Sequence, residues 1–140
     1  VAAMSPIFAL GLDVGNPRIG VAGCDPRGRI ATGLGVIHRR NLKADRLALQ
    51  TWIQQRQANQ LIVGLPYLED GSLGTQAQKI QRFITALNLD IPITYVDERL
   101  TTFAAQEHLQ ALGIPRRRWA DLIDQVAAQI ILQEWLDRQG

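Results

Sequence analysis

The stretch that decides the fold is Ile7-Phe8-Ala9-Leu10-Gly11-Leu12-Asp13-Val14-Gly15, an apolar run that ends on a carboxylate and a glycine. A continuous apolar run of this length predicts a strand that is buried on both faces. Because burying an unpaired carboxylate is costly, Asp13 must be hydrogen-bonded, paired or bound to a cation. Gly15 lets a ligand approach the backbone closely. Taken alone, the stretch favours an Asp13 that caps a turn over one that binds a metal.

The composition predicts a single domain over residues 1–140, with residues 1–5 as a disordered N-terminal extension. A hydrophobic fraction of 46% and a charged fraction of 20% are typical of a globular protein. No apolar run is long enough to span a membrane, and no signal-peptide pattern is visible, so we expect a cytoplasmic protein without a membrane partner. The net charge of +2 and the pI near 9.1 are compatible with a nucleic-acid partner.

Three strands with short connections begin the chain, and the helical and extended segments then alternate. Because parallel neighbours need a crossover of a dozen or more residues, the first three strands predict an antiparallel meander. The order predicts an α/β protein of the ribonuclease H-like kind, with a mixed five-stranded sheet flanked by helices. The predicted strands are 7–15, 18–24, 30–37, 61–66 and 91–96, and the predicted helices are 42–58, 77–87, 101–112 and 120–137.

Carboxylates stand at the ends of elements that this fold brings together. They are Asp13, then Asp97 or Glu98, and Asp124 near the start of the last helix. Adjacent side chains of a strand point to opposite faces, so only one of Asp97 and Glu98 is expected to face Asp13. Three acids at one point repel each other unless cations neutralise them, and oxygen ligands suit Mg²⁺ or Mn²⁺ rather than zinc.

Four motifs follow one another along nearly the whole chain. They are Leu12-Asp13-Val14-Gly15 with Arg18-Ile19-Gly20-Val21-Ala22, Val63-Gly64-Leu65-Pro66 with Asp70-Gly71-Ser72 and Gly74, Val96-Asp97-Glu98-Arg99-Leu100-Thr101-Thr102, and Ile123-Asp124-Gln125 with Ala127-Ala128. In this order they resemble the YqgF (RuvX) family, whose members are Holliday junction resolvase-like proteins of the ribonuclease H superfamily and are described as pre-16S ribosomal RNA nucleases.

The resemblance implies a nuclease in which Asp13, Glu98 and Asp124 are the catalytic and metal-binding acids. It implies hydrolysis of phosphodiester bonds with two Mg²⁺ or Mn²⁺ ions, which lie about 3.5–4 Å apart in such sites. Processing of the 5′ end of pre-16S ribosomal RNA is the favoured activity. The family has a lysine-bearing turn after its first motif, whereas this chain reads Gly15-Asn16-Pro17-Arg18, so any role of that lysine is lost or passes to Arg18.

Two alternatives remain open. A Holliday junction resolvase acting on four-way DNA would favour a homodimer over a monomer, because paired cuts need two sites related by symmetry. A non-catalytic nucleic-acid-binding scaffold is disfavoured, because it would not need three acids beside bound phosphates.

Candidate contacts to nucleic acid are basic and aromatic. Arg116, Arg117 and Arg118 are expected to bind phosphates, and Trp119 could stack on an unpaired base. Arg99 could contact a phosphate, although a salt bridge to Asp97 explains it equally well. For Arg39-Arg40 with Lys43 and Arg46, a solvated loop that leads into a helix is the favoured interpretation.

Overall fold

The protein forms one five-stranded sheet with helices on both faces. The structure, a computed structural model, describes residues 6–98 and 101–139, without the side chains of residues 102 and 121. The predicted extension at residues 1–5 and the predicted contact Arg99 lie outside the described residues. The strands are β1 (Ala9–Val14), β2 (Arg18–Cys24), β3 (Ala31–His38), β4 (Gln60–Leu65) and β5 (Ile93–Asp97). The helices are α1 (Leu42–Arg56), α2 (Thr75–Leu87), α3 (Thr101–Ala111) and α4 (Trp119–Gln139).

The strand order in the sheet is β3-β2-β1-β4-β5. β1 pairs antiparallel with β2, and β2 with β3, which gives the meander that the short connections predict. β4 lies parallel to β1, and β5 parallel to β4, because each follows a helical crossover. The predicted mixed sheet and ribonuclease H-like arrangement are therefore confirmed. The first, apolar strand occupies the centre of the sheet.

Alternation along β1 divides the core into two layers. Leu10, Leu12 and Val14 pack on the face covered by α1 and α2, together with Leu49 of α1. The residues between them face the other side, where α4 lies with a buried layer of its own. That second layer contains Ala9, Ala22, Ile62, Val96, Ala128, Ile131, Leu132 and Leu136. Asp13 follows the same alternation and falls on the α4 face.

Helix α4 lies unusually close to the sheet because glycines face it. A Cβ atom added to Gly11 would lie 2.7 Å from Cβ of Leu132, closer than packed carbon atoms approach. A Cβ atom added to Gly20 would overlap the backbone carbonyl of Asp124. The absence of side chains at these positions therefore sets the distance between α4 and the strands, and with it the position of Asp124.

The remaining helices complete the two layers. Asn41 caps α1, since its side chain accepts a hydrogen bond of 2.8 Å from the backbone N–H of Ala44. α3 packs against α4 and buries Ala105 and Leu109. None of the described helices has both the length and the apolar character that crossing a membrane requires.

Candidate active site

Two acids lie at the edge of the sheet where the parallel strands end. Since β1, β4 and β5 run in the same direction, their carboxyl ends meet at one edge, the usual place for sites in open α/β sheets. Asp13 is the penultimate residue of β1, and Glu98 directly follows β5. The backbone N–H of Glu98 donates to the carbonyl of Leu65 over 2.9 Å, which extends the strand pairing by one residue.

Glu98, rather than Asp97, shares the α4 face with Asp13. Val96 is buried against α4, and alternation carries Glu98 to the same side two residues later. Gly64 of β4 makes room for it, because a Cβ atom there would lie 2.8 Å from Oε2 of Glu98. The sequence predicted that only one of Asp97 and Glu98 would face Asp13, and in the structure that residue is Glu98.

The Asp13 and Glu98 side chains share a hydrogen bond, so one of the two carboxyl groups holds a proton. The pKa of Glu98 is raised to about 8, first by burial and then by the charge and hydrogen bond of Asp13. The pKa of Asp13 is raised to about 6 by burial and by the charge of Asp124, while the hydrogen bond from Glu98 acts in the opposite direction. Because the two groups act on each other, the raised pKa values belong to the pair, which shares a proton at neutral pH.

Asp124 stands on α4 above the partner strand of β1. Gly20, the residue that it covers, is paired with Asp13 in the register of β1 and β2. Arg18 Nε donates to Asp124 Oδ2 over 2.6 Å and forms an ion pair with it. The arginine partly balances the negative charge that Asp124 brings to the site, and that charge still acts on Asp13.

The three predicted acids are thus neighbours, but their present arrangement is not that of a metal cage. Within residues 6–98 and 101–139, no set of three His, Cys, Asp or Glu side chains is placed to hold a metal ion. The donor chemistry nevertheless suits Mg²⁺ or Mn²⁺, which prefer carboxylate oxygens. A shared proton joins Asp13 and Glu98, and a cation can replace it, whereas Asp124 is already bonded to Arg18.

The arginine-rich segment forms a 3₁₀ turn, Arg116–Arg118, directly before α4. All three arginines are exposed. The Arg116 guanidinium lies 5.0 Å from the centroid of the Trp119 ring, and the ring nitrogen donates to the carbonyl of Ile114 over 2.9 Å. Trp119 is therefore half-buried and already has a cation on its ring, so stacking on a base would require Arg116 to move. The roles of these residues and of Arg18 in binding remain predictions.

No local pattern indicates that Arg18 pairs with Asp124, because 106 residues separate them. The nearest signal was alternation: Arg18 and Gly20 belong to the same face of β2, and Gly20 lies beneath Asp124. The glycines that admit α4 and Glu98 were visible in the motifs, but their packing role was not.

A mixed sheet in this strand order, with acids gathered at the carboxyl ends of its parallel strands, is the framework of a ribonuclease H-like nuclease. Among solved structures, Thermus thermophilus RuvC in complex with a Holliday junction substrate matches with a TM-score of 0.57 and 13% identity, over 96% of each chain. Fowlpox virus resolvase with Holliday junction DNA matches with a TM-score of 0.57 and 9% identity, over 95% of this chain and 99% of that one. At these identities the likeness establishes the fold alone.

Sequence comparison identifies the family. Residues 8–138 match the family described as "RuvX: Holliday junction resolvase". A protein of Synechococcus sp. strain JA-2-3B'a(2-13), named "Putative pre-16S rRNA nuclease", is 53% identical over 99% of this chain and 82% of its own length. Proteins of the same name from Gloeobacter violaceus and Crocosphaera subtropica are 54% and 48% identical over 96% and 97% of this chain, and over 86% and 96% of their own lengths. The chain belongs to the RuvX family, and the predicted family and nuclease class are confirmed.

Proposed function

We propose that this protein is a divalent-metal-dependent nuclease that processes the 5′ end of pre-16S ribosomal RNA in the cytoplasm, as a single domain. The relatives' printed names supply the substrate. The observation that carries the proposal is the Asp13–Glu98 pair, because two half-buried carboxyl groups that share a proton are costly for stability. Such a cost is typical of a site that is shaped for a ligand of opposite charge.

In this proposal Asp13 and Glu98 would hold the cation, with Asp124 as the third carboxylate. Bound Mg²⁺ or Mn²⁺ supplies an activated water and stabilises the leaving oxygen of the phosphodiester. The Asp13–Glu98 pair would have to give up its shared proton before both carboxylates could face the cation. Metal binding at this pair would therefore be accompanied by release of the shared proton.

Arg18 positions Asp124 and limits the repulsion among the acids. Its ion pair is half-exposed, with 35% of the arginine side chain accessible to solvent. An arginine at this place can also contact a phosphate oxygen of the substrate, since guanidinium groups bind phosphates through several donors. The exposed Arg116, Arg117 and Arg118, together with Trp119 and Arg99, are proposed contacts to the flanking nucleic acid.

The experiment is cleavage of a 5′-extended 16S precursor fragment by the purified protein with Mg²⁺ or Mn²⁺, compared with Asp13→Asn. The wild type is expected to cut at the 5′ side and the variant to lose cleavage. Asp70→Asn is the matched control, because Asp70 lies in the exposed turn before α2 and bonds only to Ser72 in the described part of the chain. Equal cleavage by the Asp13→Asn variant would refute the role of Asp13.

A four-way DNA junction belongs in the same assay, because the family description names a Holliday junction resolvase. Symmetric cutting of the junction with no cutting of the RNA would favour the resolvase, acting as a homodimer. Tight binding of RNA without cutting under any metal would indicate a nucleic-acid-binding scaffold instead.

A further inference from the structure

A second polar recess opens beside the carboxyl end of β1, on the face of the sheet opposite the acids. This recess, which we call the β1 cleft, has a volume of about 260 Å³. Val14, Ile80 and Phe83 form its apolar floor, and Arg39, Lys79 and Gln76 line it with polar groups. Its volume is several times the roughly 30 Å³ that one water occupies in the liquid, so a small anion can enter with its hydration. Among the described residues that line it there is no carboxylate.

Arg39 is held in place at the cleft by three contacts. Its Nη1 donates to the carbonyl of Gly15 over 2.5 Å, and its guanidinium carbon lies 3.9 Å from the centroid of the Phe83 ring. Its Nε lies 3.8 Å from Oδ2 of Asp45, a buried carboxylate of α1. These contacts engage Nε and Nη1, and within the described residues nothing accepts from Nη2. A guanidinium fixed in this way loses little entropy when it binds a further acceptor.

Lys79 provides the excess positive charge. Asp45 partly balances Arg39, whereas Lys79 stands exposed on α2, and the described part of the chain places no carboxylate within 4 Å of its ammonium group. The net charge at the cleft is therefore positive. The cleft has the groups that bind a phosphate: one fixed guanidinium, one lysine, and the side-chain amides of Asn16 and Gln76.

The position of the cleft relates it to the acids. Asp13 and Gly15 are two residues apart at the end of β1, a separation of at most about 7 Å. Asp13 faces α4, and Gly15 and Asn16 border the cleft. A polymer that crosses this edge of the sheet above Asp13 therefore reaches the cleft next.

We propose that the β1 cleft is a phosphate-binding subsite, in which Lys79 and Arg39 hold a phosphate adjacent to the one at Asp13 and Glu98. The choice of a nucleic-acid strand as the source of this phosphate rests on the proposed function. The group can be an internal backbone phosphate or a terminal 5′ phosphate, and the chemistry that recognises it is the same.

The test compares Lys79→Gln with Arg82→Gln. Both residues are exposed cations of α2, but Arg82 borders the outer surface of that helix instead of the cleft. Binding of a labelled RNA oligonucleotide is measured by fluorescence anisotropy in EDTA, over a range of salt concentrations. For Lys79→Gln we expect Kd to rise about 3- to 10-fold and the salt slope to become shallower by about 0.7, the value for one single-strand phosphate. For Arg82→Gln we expect a smaller change in both.

The same oligonucleotide with a 5′-hydroxyl or a 5′-phosphate distinguishes the two sources. If Lys79→Gln weakens binding of both oligonucleotides, the cleft binds a backbone phosphate. If it weakens binding of the 5′-phosphorylated oligonucleotide alone, the cleft binds a terminal phosphate. If Lys79→Gln and Arg82→Gln bind alike in both arms, the subsite is refuted.

Inorganic phosphate provides a probe without a polymer. In a nuclear magnetic resonance titration we expect the backbone amides of Gly15 and Asn16 to shift, and Lys79→Gln to weaken that response. Shifts confined to Arg116–Arg118 would overturn the proposal. Since neither measurement involves cleavage, a protein that binds through Lys79 but cuts no substrate would refute the nuclease proposal alone. A protein that cuts but shows no effect of Lys79→Gln would refute the subsite alone.

Discussion

Replacing Glu98 by glutamine should stabilise the metal-free protein at neutral pH while abolishing cleavage. Glu98 is half-buried beside Asp13, and its pKa is raised to about 8. The glutamine amide keeps the size of the side chain and can still donate a hydrogen bond to ionised Asp13. The substitution removes a carboxyl group that must either hold a proton or, once ionised, repel the carboxylate of Asp13.

The magnitude follows from the difference between the folded and unfolded pKa values. The folded pKa of about 8 lies above the unfolded value of 4.5, so the folded state binds the proton more tightly. The resulting stability is fully present below pH 4.5 and is lost as the pH rises towards about 8. At 1.36 kcal/mol for each pKa unit, the loss between pH 5.5 and 7.5 is about 2–3 kcal/mol.

The assay is urea denaturation in EDTA at several pH values between 5.5 and 7.5. The free energy of unfolding of the wild type should fall over this range relative to that of Glu98→Gln, and the two curves should diverge by about 2–3 kcal/mol. Glu134→Gln serves as the control, because Glu134 is an exposed residue of α4. Parallel curves for the wild type and Glu98→Gln would show that Glu98 ionises normally and that the proton is not shared.

Three further perturbations test the geometry. Gly20→Ala should lower the free energy of unfolding by about 1–3 kcal/mol and reduce cleavage, because the added methyl group overlaps the Asp124 backbone and overpacks the site. Unchanged thermal stability would contradict the close approach of α4. Arg18→Gln should destabilise the metal-free protein by about 1–3 kcal/mol at pH 7 in urea denaturation, since Asp124 loses its charged partner. If the same loss of stability persists in the Arg18→Gln, Asp124→Asn double variant, the ion pair is not its cause. Replacing residues 116–118 by alanine should weaken RNA binding and flatten its salt dependence, as seen by anisotropy; an unchanged slope would remove them from the interface.

The sheet and the identity of its central strand could be predicted because both depend on short-range patterns. The apolar run around Leu10 and Leu12 indicates burial on both faces, and short connections force the meander. Alternation also predicted that only one of Asp97 and Glu98 would face Asp13. The register and the strand order then bring that residue to Asp13 without further information.

The packing of α4 could not be predicted to the same degree. Periodicity predicts that Ile123, Val126, Ala127, Ile130 and Ile131 face the core. Ala127 and Ile131 are indeed buried, as are Ala128 and Leu132, whereas Ile123, Val126 and Ile130 are half-buried. Hydrophobicity ranks isoleucine above alanine, yet a helix that packs on glycine-containing strands needs small residues at the closest contact. The decisive fact, which residues face one another, lies in long-range contacts that no local pattern encodes.

The contacts of charged side chains were harder still to predict from the sequence. Asp45 is buried within α1, where the sequence showed only one acid among basic neighbours. It accepts a hydrogen bond of 3.0 Å from the backbone of Arg40 and pairs with Arg39, so the basic stretch before α1 is partly a structural element and not only a solvated loop. Arg46 likewise donates to the carbonyl of Leu87 over 2.6 Å at the end of α2. A charge count cannot distinguish such bonded arginines from free ones.

The hydrogen bond between Asp13 and Glu98 has a calorimetric consequence. Because a cation has to displace the proton that Asp13 and Glu98 share, the heat of metal binding will depend on the ionisation enthalpy of the buffer that takes up this proton. The same bond makes acid a competitor of the metal, so apparent affinity for Mg²⁺ should weaken as the solution is acidified below about pH 8.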